Sequence, residues 1–102
     1  KRDTMTTKQR AYLKGLAMNM DPIFQIGKSS LTTEYLESLE EALEARELIK
    51  INVLKNCLDD PKELAFAIGE NTNAEVVQVI GRKIVLYREA RQPEKRKIVL
   101  PK

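Results

Sequence analysis

The chain has 102 residues, of which 42% are hydrophobic and 32% charged, with a net charge of +3. That composition suits one soluble domain able to bury a core without disulfides or metal. It excludes a helical membrane span, because no apolar run approaches the ~20 residues a bilayer requires. No histidine is present. Ser-His and Cys-His dyads, histidine metal sites and the commonest general base are therefore excluded. Cys57 is the only cysteine, so no intramolecular disulfide can form. With no signal-peptide pattern at the N-terminus, the expected compartment is reducing, most simply the cytoplasm. Residues 1–4 precede Met5 and are expected to be a cloning remnant ahead of a native start. The charge is uneven: residues 1–18 carry net +4, residues 19–81 net −7 and residues 82–102 net +6. If the two basic ends meet in the fold, they form a face suited to a polyanion. Two separate solvated termini are the alternative.

Thr6-Thr7-Lys8-Gln9 predicts a helix start, with Thr6 as N-cap and Gln9 at the capping-box position. Leu13, Leu16, Ala17 and Met20 follow at helical spacing, leaving Lys8, Arg10 and Lys14 mostly off the stripe. Asp21-Pro22 ends the helix. Ile23-Phe24-Gln25-Ile26 reads as a short strand, followed by the loop Gly27-Lys28-Ser29-Ser30. Thr32 caps a second helix over about 33–45, with Tyr35, Leu36, Leu39, Ala42 and Leu43 inward. Glu34, Glu37, Glu40, Glu41 and Glu44 crowd its other faces and read as a solvated acidic surface.

Ile49 to Val53 alternates with period two, the mark of a half-buried strand. Asp60-Pro61-Lys62-Glu63 then opens a third helix: Asp60 caps, Pro61 takes the first position and Glu63 completes the box. Leu64, Ala67 and Ile68 form its stripe, and it is expected to end near residue 70. Phe24 and Phe66 are expected to be buried. Glu75–Ile80 and Ile84–Arg88 read as two strands joined by a Gly81-Arg82-Lys83 turn. Ile98-Val99-Leu100 in the basic tail can pair on a sheet edge or stay mobile. The order predicts an α/β domain: an N-terminal helix, then βαβαββ, with helices packed on a four-stranded mixed sheet. The domain is expected over residues 5–90 and the basic tail over 91–102.

Three places can carry chemistry. In Gly27-Lys28-Ser29-Ser30 a glycine lets the backbone approach a phosphate, Lys28 adds charge and a helix N-terminus follows. The loop is too short for a nucleotide P-loop. Arg82 and Lys83 put two cations side by side on a tight turn, suited to backbone phosphates. Arg88 can reach RNA or pair with the acidic helix, while Tyr87, on the opposite side of the strand, is expected in the core. Paired exposed aromatics of an RRM-type stacking sheet are missing, so recognition would rest on phosphates and shape. Cys57 reads as a passive small residue.

The chain resembles the bacterial YhbY-type proteins, stand-alone versions of the CRM (chloroplast RNA splicing and ribosome maturation) domain. Thr7-Lys8-Gln9-Arg10, Asp21-Pro22-Ile23-Phe24-Gln25-Ile26-Gly27-Lys28, Glu47-Leu48-Ile49-Lys50-Ile51, Val77-Gln78-Val79-Ile80-Gly81-Arg82 and Val85-Leu86-Tyr87-Arg88 carry the likeness. The resemblance implies a fold similar to the C-terminal domain of translation initiation factor 3. It also implies binding to ribosomal RNA in large-subunit precursors, with a role in assembly, and a G-x-x-G loop after the first strand. Here Ser30 stands at the second glycine position and tolerates fewer positive-φ conformations.

The expectation is a bacterial, cytoplasmic, monomeric RNA-binding assembly factor with no catalytic activity, cofactor, membrane contact or small-molecule substrate. Lys28, Arg82 and Lys83 contact phosphate, Gly27, Ser29 and Ser30 complete the loop, and Lys8, Arg10, Lys14 and Arg88 flank it. The alternative is a protein-interaction adaptor using the acidic second helix and the C-terminal tail. A small enzyme is the third reading, disfavoured because no paired-carboxylate spacing is found.

Overall fold

A computed structural model of the chain describes residues 5–29 and 31–102. Its elements are α1 (Thr7–Met18), β1 (Phe24–Ile26), α2 (Thr33–Arg46), β2 (Leu48–Val53), α3 (Pro61–Thr72), β3 (Glu75–Ile80), β4 (Lys83–Tyr87) and a 3₁₀ turn over Pro93–Lys95. The helix starts follow local chemistry. The Thr6 hydroxyl accepts the Gln9 N–H at 3.1 Å, and Gln9 Oε1 accepts the Thr6 N–H at 3.1 Å. Thr32 caps α2 by accepting the Tyr35 N–H at 3.0 Å. At α3 the Asp60 half of the predicted box forms, with one carboxylate oxygen accepting the Lys62 and Glu63 N–H groups. α3 runs to Thr72, slightly beyond the expected end, because Asn73 supplies the left-handed turn at φ 62°.

The sheet order is β1-β2-β4-β3, with β1 parallel to β2 and the other two pairs antiparallel. Strand alternation sorts the apolar residues onto two faces. Ile49, Ile51, Val53, Ile84 and Leu86 form the core with Leu39 and Leu43 of α2 and Leu64 and Ile68 of α3. Leu48, Val77, Val85 and Tyr87 pack on the other face against Leu13 and Ala17 of α1. Tyr87 is thus a core residue; burial first, then the Glu47 and Glu89 charges, push its phenol up to about 12.

Two burial expectations change. Leu16 is exposed, since Leu13 and Ala17 suffice to seat α1. Phe66 is 67% exposed, because the buried side of α3 runs through Leu64, Ala65 and Ile68. Phe24 is partly buried and meets Tyr35 edge-to-face with ring centroids 5.8 Å apart.

The C-terminal segment forms no edge strand. It packs irregularly on the α1 side, where Ile98 and Leu100 join Leu13, Val85 and Tyr87. The two basic ends do meet: Gln9 Nε2 donates to the Pro101 carbonyl at 3.0 Å and Lys8 Nζ to that of Lys102 at 3.4 Å. A buried carboxylate anchors the segment. Glu47 is 0% exposed, and its Oε1 accepts the Lys97 and Ile98 N–H groups while Oε2 accepts that of Ala90. These bonds hold it at φ 68°, a backbone conformation that costs a non-glycine residue about 1 kcal/mol or more. Glu47 therefore ties the tail to the entry of β2.

Burial opposes ionisation of Glu47, but the three backbone N–H groups outweigh it, aided by Arg96, and hold the carboxyl below its ordinary range. A depressed carboxylate pKa confers stability that is complete above the unfolded value and is lost as pH falls through the folded one. Glu47→Gln is expected to lower stability by about 3 kcal/mol in urea unfolding at neutral pH and to flatten the acid-side fall in stability. An unchanged urea midpoint would contradict the anchoring role.

Candidate nucleic-acid interface

Parallel strands β1 and β2 release the chain at the same end of the sheet, and antiparallel β4 begins there. Residues 27–29, 54–57 and 81–82 are therefore brought together by topology. The Leu54 N–H donates to the Ile26 carbonyl at 2.8 Å, and the Val53 N–H to that of Arg82 at 2.7 Å. A Cβ at Gly27 would lie 3.4 Å from both Asn56 Oδ1 and Leu54 Cδ1, so the first two loops sit in van der Waals contact. Gly81, at φ 57°, closes the hairpin.

Arg82 joins these loops and is not presented as a free phosphate contact. Its Nε donates to the Val53 carbonyl at 2.9 Å, and its Nη2 to those of Leu54 at 2.7 Å and Cys57 at 3.2 Å. The planar guanidinium fork suits this group of carbonyls, of which that of Leu54 also accepts the Cys57 N–H at 3.1 Å. Lys83, next to it, is exposed. So are Lys28 and Ser29; Ser30 lies outside the described residues. The 54–57 turn adds a cation not anticipated from the sequence: Lys55, which is exposed beside the Gly27 loop. Its signal was the parallel order of β1 and β2, which obliges the residues after each strand to emerge together.

The flanking cations divide. Lys14 is exposed on α1 and shares a groove with Lys50 and Lys83. Lys8 is exposed, but at the other end of α1, beside the C-terminal residues. Arg10 donates from Nη1 to the Val76 and Val77 carbonyls, where β3 carries a register shift. It satisfies backbone groups disrupted by the bulge.

Arg88 is corrected from a flanking RNA contact to a buried structural cation, 8% exposed. Its Nη1 donates to Glu40 Oε1 at 2.7 Å and to the Thr72 carbonyl at 2.9 Å, while Nη2 lies 3.5 Å from Glu44 Oε1. Its Nε has no acceptor among the described residues. The acidic face of α2 is accordingly only partly solvated. Glu34, Glu37 and Glu41 are exposed, whereas Glu40 and Glu44 serve the arginine and the tail. Glu44 accepts the Arg91 and Gln92 N–H groups at 2.9 and 3.0 Å, which lower its pKa, with Arg88 and Lys95 adding to the effect.

The two ends of the sheet use their charges differently. At the Tyr87 end, Glu40, Glu44 and Glu47 are engaged with Arg88 and with tail N–H groups. At the Lys83 end, Lys28 and Lys55 lie exposed on two bonded loops and Lys83 opens β4, with the exposed carboxylates of Asp59 and Asp60 just beyond the 54–57 turn. Lysine ammoniums on exposed stems are point charges suited to phosphate oxygens without base discrimination. Among the described residues, no helix is long and apolar enough to cross a membrane.

The model of the CRS1 / YhbY (CRM) domain matches residues 5–88. The chain is 42% identical over 97 residues to a Bacillus subtilis protein named "Probable RNA-binding protein YqeI", covering 95% of this chain and 99% of that one. It is 39% identical to a Haemophilus influenzae protein named "RNA-binding protein", covering 97% of each chain. Among solved structures, the solution structure of the hypothetical protein SAV1595 from Staphylococcus aureus shares 48% identity and superposes with a TM-score of 0.76, covering 96% of this chain and 100% of that one. A whole-domain match, two nearly full-length relatives and a common fold lead to one conclusion: the chain belongs to the CRS1/YhbY (CRM) domain family.

Proposed function

We propose that this protein binds RNA through the loop end of its sheet, with Lys28, Lys55 and Lys83 on backbone phosphates. Gly27 and Ser29 shape the first loop, and Lys14 extends the basic surface onto α1. The observation that carries this reading is the display of these cations at one end of the sheet, where Arg82 joins the hairpin turn to the 54–57 turn and the Leu54 N–H joins that turn to the end of β1. A positive surface on a rigid frame needs little ordering on binding. Two relatives of nearly full-length coverage bear RNA-binding names, which supports the same reading.

The likeness to YhbY-type proteins directs the proposal further. The RNA is ribosomal RNA in precursors of the large subunit, and the chain acts as a monomeric, cytoplasmic assembly factor without a catalytic step. In a cell-extract gradient the protein should co-migrate with large-subunit precursors at low salt and leave them at high salt. Sedimentation only as free protein at low salt would point to a smaller RNA. The adaptor reading relied on the acidic helix and the tail. Glu40, Glu44 and the tail are engaged within the chain, which weighs against it.

Binding and structural cations should separate by mutation. Replacing Lys28, Lys55 and Lys83 together by Ala should weaken binding to an RNA hairpin and lower the slope of log affinity against log salt by about 2–3, at unchanged Tm. Arg82→Ala should instead cost about 3 kcal/mol in urea unfolding, because three carbonyls lose a charged donor. If the triple variant bound with wild-type affinity and salt dependence, the loop end would not be the interface. If Arg82→Ala melted like wild type, the clamp assignment would fail.

A further inference from the structure

α1 covers only part of its sheet face. Past Ala17 the face opens into a groove of about 410 Å³ lined by Lys14, Met18, Lys50, Gln78, Ile80 and Lys83, with Val85 at its base. Met18 is 77% exposed and Ile80 60% exposed, although both belong to an otherwise apolar floor. The register shift in β3 sets this arrangement. Beyond it, Gln78 opposes Val85 and Ile80 opposes Lys83, so all four side chains fall on the α1 side. The Gln78 amide has no hydrogen-bond partner among the described residues, and no carboxylate lines the groove. Lys50 Nζ is partly committed, donating to the Met20 carbonyl at 2.9 Å, whereas Lys14 and Lys83 are exposed.

We infer that this groove receives one unpaired nucleobase of the bound RNA; the inference rests on the RNA-binding reading above. A nucleobase offers two apolar faces, a polar edge and an anion on either side of its sugar. Met18 and Ile80 supply apolar contact, and the thioether of Met18 adapts its shape to a flat ring. The Gln78 amide carries both a donor and an acceptor for the base edge. Lys14 and Lys83 take the adjoining phosphates, and Lys83 makes the groove continuous with the loop end. A peptide segment suits the site less well, because its N–H groups would find few acceptors among three lysines and one amide. Unpaired bases are also what sequence-sensitive RNA recognition takes hold of, since a paired A-form helix hides its base edges.

The test compares two RNA hairpins identical except for a single bulged adenosine, using fluorescence anisotropy at fixed salt. Wild-type protein should prefer the bulged hairpin by about tenfold, the order of one apolar pocket contact. The double variant Gln78→Ala, Ile80→Ser should lose that preference while keeping its affinity for the paired hairpin. Met18→Ser, at a largely exposed helix position, should do the same without touching the sheet. Equal wild-type affinity for the two hairpins, or a preference that survives in both variants, would overturn the groove assignment and leave RNA binding by the loops standing. Failure of the wild-type protein to bind either hairpin would remove the RNA-binding reading and this inference with it.

Discussion

The contact of Arg82 with the carbonyls of Val53, Leu54 and Cys57 is the constraint on which the candidate interface depends. Three short loops carrying lysines would ordinarily be among the more mobile parts of a small domain. Here one guanidinium joins the hairpin turn to the turn after β2, and the Leu54 N–H joins that turn to the end of β1. The conformational cost of ordering the loops is met on folding, so it is not charged again when a polyanion arrives.

Charge on this chain is arranged in two classes with different neighbours. Arg10, Arg82 and Arg88 turn inward and satisfy backbone carbonyls or partly buried carboxylates. Lys14, Lys28, Lys55 and Lys83 remain exposed. The division follows from chemistry: a planar fork with several donors suits fixed carbonyls, whereas a strongly hydrated ammonium on a flexible stem stays in water. The carboxylates at the Tyr87 end are held away from the lysines by the length of the strands, with Glu47 fixing the tail and Glu40 and Glu44 meeting Arg88.

What was legible in the sequence was local. Thr6 with Gln9, Thr32 and Asp60 with Pro61 mark their helix starts within a few residues, and the alternation from Ile49 to Val53 declares which side chains are buried. Those signals carried the element order and the sheet. The inward arginines have partners far along the chain: 28 residues from Arg82 to Leu54 and 66 from Arg10 to Val76, while Arg88 takes the acidic-helix option of its two readings, 48 residues from Glu40. A cation at a turn or strand end has the same appearance in sequence whether it faces solvent or a distant carbonyl. Phe66 was misplaced for a different reason. Leu64, Ala65 and Ile68 already fill the inner side of α3. Lys55 needed only the parallel pairing of β1 and β2 to be found.

An interface at the end of the sheet that carries Lys28, Lys55 and Lys83 should be visible residue by residue when RNA is added. The most direct measurement is an amide chemical-shift map of the labelled protein titrated with a short RNA hairpin. The account predicts that shifts concentrate at Gly27–Ser29, Leu54–Asn56 and Gly81–Lys83, while Glu47, Ala90 and Ile98 at the opposite end remain still. Shifts centred on the outer face of α2 or on the tail, with the three loops silent, would contradict it.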